Sequence, residues 1–424
     1  MNKKLFITIV GTALLLAGLI AGPSISNHVY SQGTEKKVLR LGYFPNINHA
    51  QAVLGVGNGD FQKALGPNIE LKPFVFNAGP TAIQALFGKQ LDALYVGPNP
   101  SINGYVISGG KDLKIVAGAA SGGAVFVVRN DSGIESSKDF AGKNFASPQL
   151  GNTQDVALRK YLLDNGYQTK EHGGNVQVTP AANADILTLL LKKEVDGAWV
   201  PEPWGERFIK EANSHLFKDE RGLWPDGKFV TANIVVRSDY LKDNPDVIEK
   251  LLGAHINETQ WINTHKDEAL AKFNSELKRL TTQTIPADAL KQSLTRLELT
   301  WDPITSSLYK SAENAFDIGF LGKTKPNLVG IYDLTLLNKV LKEKGLHPVT
   351  ENATSTISQP SSDNSTTTNA DNTLNTSVTS ASATWDSNET KTNITTANAT
   401  WETNGTDSNS TSANATSTNV TGTS

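Results

Sequence analysis

The sequence predicts an α/β protein built from two equivalent lobes, each an open, mostly parallel sheet flanked by helices, with a long polar tail behind them. Three observations carry that expectation. From about Glu35 to Val349 short apolar runs alternate with helix-like runs, one segment recurs further along the chain, and the composition changes abruptly after Val349. Alternation of this kind, with runs too short to span more than one strand or helix each, is the pattern of open α/β sheets.

The first element is an apolar run. Lys3 and Lys4 precede an uninterrupted stretch from Leu5 to about Ala21, the layout of a secretory signal, although the run is long enough to remain as a membrane anchor. Residues 1–27 are therefore expected to export the chain. No later run approaches membrane-spanning length, so the rest is expected outside the cytoplasm.

In the α/β region the strand candidates are LKPFVF, LDALYVG, LKIVAGA, AVFVVRN, NVQVTP, VDGAWV and TANIVVR. The helices between them are HAQAVLGVG, GPTAIQALF, SINGYVISG, NTQDVALRKYLLDNG and ADILTLLLKK, and from Asp246 onward the pattern is mainly helical. The recurring segment is LKPFVFNAGPTAIQALFGKQLDALYVGPNP, from Leu71 to Pro100, which shares its plan with VQVTPAANADILTLLLKKEVDGAWVPEPW, from Val176 to Trp204. Each reads strand, polar turn, helix, then a strand ending in proline. Lys89 matches Lys193, Asp92 matches Asp196 and Tyr95 matches Trp199, all at an offset of 104. A fixed offset of this sort marks two copies of one unit.

Ligands of open α/β sheets bind at the carboxyl ends of the strands. In the first copy those loops are Asn77-Ala78-Gly79-Pro80-Thr81 and Gly97-Pro98-Asn99-Pro100-Ser101; in the second they are Gly151-Asn152-Thr153 and Pro201-Glu202-Pro203-Trp204. Each precedes a helix, whose first turn carries free N–H groups and about half a positive charge, so converging loops make an anion site without lysine or arginine. Glycine lets the backbone approach closely, and Pro80 and Pro98 fit a first helical turn.

After Val349 the chain is almost wholly Ser, Thr, Asn and Ala, with Trp385 and Trp401 its only aromatics. Such a segment cannot offset its ordering entropy by burial, so residues 350–424 are expected to be disordered. The N-x-[ST] pattern recurs there at Asn352, Asn364, Asn375, Asn388, Asn393, Asn398, Asn404, Asn409, Asn414 and Asn419. The last seven fall at steps of five or six residues, and ATWDSNET at Ala383 returns as ATWETNGT at Ala399. A glycosylated external stalk is the expectation. It ends without an apolar tail, so any anchor is expected at the N-terminus.

Composition removes several classes of function. With 424 residues and 38% hydrophobic content the chain can build real cores, while a formal charge of −3 and a pI near 6.2 recommend neither nucleic acid nor an anionic membrane surface. No cysteine is present, which excludes disulfides, thiolate metal sites, iron–sulfur clusters, cysteine nucleophiles and a lipobox anchor. There is no G-x-S-x-G elbow, and the seven histidines show no H-E-x-x-H spacing. The carboxylates of VDGAWVPEPWGERF beside two tryptophans raise an acid and base pair of the glycosidase kind. Glu202 and Glu206 lie four apart, but Pro203 suits the first turn and puts Glu202 at the cap, which leaves Glu206, with Arg207 beside it, as a solvated surface residue.

Five motifs in order, LGYFPNINHAQAVLG, NAGPTAIQAL, VGPNPSING, SPQLGNTQDVALRKYL and DGAWVPEPWGERF, make the region from Val38 to Val349 resemble the substrate-binding proteins of ABC importers for aliphatic sulfonates, taurine, nitrate and bicarbonate. The resemblance implies a two-lobed, type II periplasmic-binding-protein fold in which the chain leaves the first lobe, builds the second and returns. The crossings are expected near Ser121 to Gly123 and near Val230 to Ala232, giving lobe one as 38–120 plus 231–349 and lobe two as 121–230. It further implies that Tyr43, Asn46, Asn48 and His49 sit at the cleft mouth. Gly79, Pro80, Thr81, Gly97, Pro98 and Asn99 would bind from lobe one, and Gln149, Asn152, Thr153, Glu202 and Trp204 would close from lobe two. A small oxyanion, most readily an alkyl or amino sulfonate, is the expected solute, with Glu202 pairing the amino group of a taurine-like ligand. The other expected partner is an ABC permease; no cofactor or metal is expected, and the chain is expected to be a monomer. GPN at Gly97, in place of a serine-rich turn, and the tail depart from the family pattern. The alternatives are a nitrate/bicarbonate or pyrimidine-precursor binding protein of the same fold, or a non-transport adhesive surface glycoprotein, which the stalk suggests. The pyrimidine-precursor synthases share the architecture but carry a cysteine-rich iron motif that this cysteine-free chain cannot.

Overall fold

In the computed structural model residues 36–351 are described. The chain first lays down β1 (Lys37–Tyr43), α1 (Ala50–Gly57), α2 (Asp60–Leu65), β2 (Ile69–Val75), α3 (Gly79–Phe87), β3 (Ala93–Val96), α4 (Pro98–Ile107) and β4 (Leu113–Gly122). A second lobe follows: β5 (Ala124–Arg129), β6 (Asn144–Pro148), α5 (Thr153–Asp164), β7 (Gln177–Ala181), α6 (Asn183–Leu191), β8 (Gly197–Pro201), α7 (Trp204–Glu211) and β9 (Ser214–Asp219). The return to the first lobe brings β10 (Val230–Arg237), α8 (Ser238–Asp243), α9 (Pro245–Thr264), α10 (Lys266–Thr281), α11 (Ala287–Leu294), β11 (Leu297–Leu299), α12 (Thr305–Asp317) and α13 (Thr335–Glu343).

Two sheets result, ordered β11-β4-β10-β3-β1-β2 and β7-β6-β8-β5-β9. Both are mixed, which corrects the expectation of mostly parallel sheets. The βα units pair in parallel, β2 and β3 with β1 and β7 and β8 with β6, but β10 runs antiparallel to β3 and β4, and β5 runs antiparallel to β8 and β9. β5 and β10, the strands by which the chain enters lobe two and re-enters lobe one, run against the βα units, and the short β11 adds an antiparallel pair with β4 at the sheet edge. Strand composition carries no sign of direction, so the pattern alone could not show this.

The chain passes from the first sheet to the second through Gly122 and Gly123, both at φ +76, and returns through residues 220–229. A side chain on Gly122 would meet the Arg296 carbonyl at 2.6 Å, so glycine is required there by both conformation and space. Lobe two shows why its strands read as continuous apolar runs. Val125 and Val127 of β5 face one core with Ile186, Val200 and Phe208, while Phe126 and Val128 face another with Phe140, Phe145, Leu158 and Trp199. A strand covered by helices on both faces needs no polar side.

The internal repeat is visible as chemistry. Asp92 is fully buried before β3 and accepts the Arg40 N–H at 2.9 Å from β1; Asp196, before β8, accepts the Asn144 N–H at 2.9 Å from β6. Each carboxylate also meets an arginine at the end of an antiparallel neighbour, Arg237 at 3.1 Å and Arg129 at 3.2 Å. Lys89 and Lys193 both adopt left-handed backbone, at φ 57 and φ 60, and pair with Asp239 and Asp131, each two residues beyond that arginine. Both aspartates thus tie strands together at the end of the sheet away from the βα loops.

Among the described residues no helix is long and apolar enough to cross a membrane. The expected signal at 1–27 and the sequons from Asn352 to Asn419 lie outside the described residues.

Candidate ligand-binding cleft

Four helices start at the strand ends that face each other across the lobes: α3 and α4 from lobe one, α5 and α6 from lobe two. Their N-cap residues, Ala78, Gly97, Asn152 and Ala182, are extended, and no side chain caps any of the four. The first-turn amides are left for a ligand, at the positive ends of four helix dipoles. The sequence placed the fourth such terminus at Trp204 instead. There, however, the Glu202 carboxylate accepts the Glu206 N–H at 3.1 Å, so α7 already holds an anion of its own.

Between the lobes lies a cavity of about 20 Å³ lined by Phe44, Asn46, Asn48, His49, Asn77, Gly97, Asn152, Thr153, Gln154, Asn183, Pro201 and Thr231. No lining residue is charged. The volume suits one or two water-sized groups. His49 is buried and stacked on Phe44 at 4.6 Å; its Nδ1 accepts the Phe44 N–H at 3.4 Å, which leaves the proton on Nε2. Burial pushes this imidazole down to about 3, so it is a neutral donor at any ordinary pH. Asn48 Oδ1, Thr153 Oγ1 and Asn183 Oδ1 are buried without a partner among the described residues. Unpaired buried polar atoms are costly, and three around one cavity, from both lobes, mark it as a place for a polar guest.

Lobe two's binding loop is shaped by Asp155, fully buried in α5. Its carboxylate accepts Ser147 Oγ at 2.6 Å, Gly151 N–H at 2.9 Å and Arg159 Nε at 3.0 Å. Burial pushes the Asp155 carboxyl up, against these three donors. Gly151 turns the loop at φ +76.

The remaining expected residues divide. Thr81 and Gln149 hydrogen-bond across the cleft at 3.1 Å, and Trp204 Nε1 donates to Asn46 Oδ1 at 3.2 Å, also across it. Tyr43 is buried beside Arg279 and does not line the cavity. Gly79 packs α3 against α4, since a Cβ there would lie 2.3 Å from Pro100. Pro80 and Pro98 occupy first turns of α3 and α4, and the Asn99 side chain turns to the Ser311 carbonyl on α12 at 3.3 Å.

Glu202 is a correction. It is 0% exposed; its Oε1 meets Arg296 at 2.5 Å and its Oε2 accepts Ser293 Oγ at 3.0 Å. Arg296 lies 2.5 Å from Glu206 as well, so Glu206, read from the sequence as solvated, is buried in the same cluster. An arginine of lobe one fills the place expected for a ligand's amino group: Arg296, Ser293 and the Glu206 N–H already donate to the Glu202 carboxylate, which is fully buried away from the cavity lining.

Asn183 and Pro201 line the cavity but escaped notice in the sequence as site candidates, although a signal was present. The repeat offset of 104 carries Gly79 onto Asn183 and Gly97 onto Pro201. Thr231 and Gln154 carried no comparable sign. A larger hollow, about 740 Å³, opens on the hinge side between Ser121, Lys218, Asp219, Arg221, Lys228 and Glu298. It is an open groove, and Arg221 with Asp219 and Lys228 with Glu298 already pair there, so the small interlobe cavity is the better candidate. Among the described residues no group of three or more His, Cys, Asp or Glu could hold a metal ion.

The fold resembles several solved structures. The alkanesulfonate-binding protein of Xanthomonas axonopodis pv. citri, bound to MOPS, matches with a TM-score of 0.60 and 16% identity over 70% of this chain and 99% of that one. The periplasmic nitrate-binding protein of Synechocystis PCC 6803 matches at 0.61 and 14%, over 73% and 89%. The ligand-binding component of an ABC-type import system from Staphylococcus aureus matches at 0.58 and 17%, over 72% and 99%. At such identities the likeness shows the two-lobed fold. In sequence, a protein of Brucella abortus strain 2308 described as a binding protein is 27% identical over 233 residues, 53% of this chain and 67% of its own. The model of the NMT1-like family matches residues 32–274, more than half of the chain, and the chain belongs to that family.

Proposed function

We propose that this chain is an extracytoplasmic solute-binding protein that captures a small oxyanion by closing its two lobes and delivers it to an ABC permease. The observation that carries the proposal is the uncharged cavity ringed by four uncapped helix N-termini, two from each lobe. Neutral donors in a dry cleft hold a single negative charge well. Closure is driven because the ligand gains the second lobe's contacts only in the closed state. The solved relatives that bind an alkanesulfonate or nitrate support this class of ligand. With Glu202 committed to Arg296, an alkyl sulfonate is favoured over an amino sulfonate. Because the cavity is small, nitrate and bicarbonate form the second reading.

Isothermal titration of the purified chain with ethanesulfonate, taurine, nitrate, bicarbonate and a hydroxymethylpyrimidine tests this. Heat with a plain oxyanion is expected, and taurine should bind at least tenfold more weakly than ethanesulfonate because its ammonium finds no carboxylate. Asn183→Asp should weaken the best anion by tenfold or more, about 1.4 kcal/mol, since it sets a negative charge at the start of α6. Absence of heat with every anion, or binding of the pyrimidine alone, would sink the proposal.

A further inference from the structure

The crossing that returns the chain to lobe one contains a carboxylate that forms no ion pair among the described residues. Glu220, 2% exposed, directs Oε2 to Trp199 Nε1 at 2.7 Å and Oε1 to Trp224 Nε1 at 3.2 Å. Trp199 belongs to β8 and stacks on Phe126 at 5.3 Å, in the first strand of lobe two. Trp224 stacks on Phe229 at 5.1 Å and an interplanar angle of 5°. Phe229 in turn joins the other crossing: its N–H donates to Ser121 Oγ at 3.3 Å and its carbonyl accepts the Gly122 N–H at 3.0 Å. Two indoles and one carboxyl group thus fasten the two crossings to each other and to the floor of lobe two.

We propose that Glu220 is a proton-controlled fastener of the hinge: neutral, it stays buried between the two indoles, and ionised, it favours release of residues 220–229 toward the open groove beside it. Asp219, Arg221 and Gly222 line that groove, so the carboxylate has solvent to turn into. The charged groups around it do not compensate its charge. Asp219 acts on Glu220 with the same sign, Arg221 is spent on Asp219, and Arg129, at the far end of β5, is spent on Asp131 and Asp196. From β8 comes the indole of Trp199, and β5 pairs Val125 with Asp219. Burial accordingly pushes Glu220 up to about 7, against the two indole donors.

The sign follows from linkage. A carboxyl group that is harder to ionise when buried binds protons in the fastened state that the released or unfolded state has lost. Fastening is therefore fully favoured at acidic pH and weakens as pH rises from the ordinary glutamate range through about 7. Between pH 5 and 8 the released population should grow by up to on the order of 100-fold. The inference concerns the hinge and stands whatever the cleft binds.

Acrylamide quenching of tryptophan emission, followed from pH 5 to 8.5 on the full chain, tests it. Quenching is expected to rise with a midpoint near 7 in the native chain and to stay low throughout in Glu220→Gln, which is neutral at every pH. Trp224→Phe removes one donor to the carboxylate and should move the midpoint to higher pH, which keeps the test decisive if Glu220→Gln does not fold. A native chain without a transition, a Glu220→Gln chain that titrates like it, or an unmoved midpoint in Trp224→Phe would overturn the proposal.

Discussion

Replacing Arg296 with methionine is expected to lower the unfolding free energy by about 3–5 kcal/mol at pH 8. That is a large part of the stability of an ordinary domain. The guanidinium sits 2.5 Å from both Glu202 and Glu206, whose side chains are almost fully buried. Without it two carboxylates face each other in a dry interface, and Ser293 and one backbone N–H are all that remain for Glu202. Burial already pushes the Glu202 carboxyl up in the presence of Arg296; removing the cation raises it further. The folded variant then holds protons that its unfolded chain gives up, so the loss should be smaller at pH 5 and grow as pH rises. Urea denaturation at both pH values measures it, and a loss under about 1 kcal/mol at pH 8 would mean that the cluster is worth no more than a surface pair.

Gly97→Ala is expected to weaken ligand binding by tenfold or more while leaving the melting temperature nearly unchanged. Gly97 has φ −68 and ψ 163, a conformation open to any residue, so no backbone strain enters. The obstacle lies across the cleft: a Cβ at this position would stand 2.2 Å from Thr153 Oγ1 and 3.3 Å from Thr153 Cβ. The lobes must then stay apart or Thr153 must turn its hydroxyl out of the cavity, and either costs the ligand contacts. Gly97→Ala combined with Thr153→Ala should regain part of the lost affinity, a coupling that a double-mutant cycle by titration calorimetry reads directly. Equal affinity in Gly97→Ala and the native chain would show that closure does not bring these residues together.

The sequence made some of this legible for physical reasons that can be named. Asp92 and Asp196 stood out because a local unit was used twice, and a repeat preserves the strand ties that the unit needs, down to the paired lysines. The loops at Gly97, Asn152 and Thr153 stood out because helix starts need glycine, proline and small polar residues. Glu202 was misread because its partner lies 94 residues further on, on a helix end of the other lobe, and no local pattern announces a contact made by folding back. Glu206 was misread for the same reason; four residues from Glu202 on a short helix, it looked solvated until Arg296 covered it. Short strands with little apolar content, NFASP at β6 and SHLFKD at β9, gave no signal of their own and are strands because they pair with the apolar, fully buried β8 and β5 at the middle of the sheet.

The most direct test is amide NMR of the chain titrated with the tightest-binding oxyanion. The structure predicts the largest shifts at the first-turn amides of all four helices, Thr81 and Asn99 in lobe one and Thr153, Gln154, Asn183 and Ala184 in lobe two, with the Phe229 and Gly122 amides of the crossings moving less. Shifts confined to one lobe, or centred on Ser121, Lys218 and Arg221 in the hinge groove, would contradict a cleft that clamps an anion between two pairs of helix N-termini.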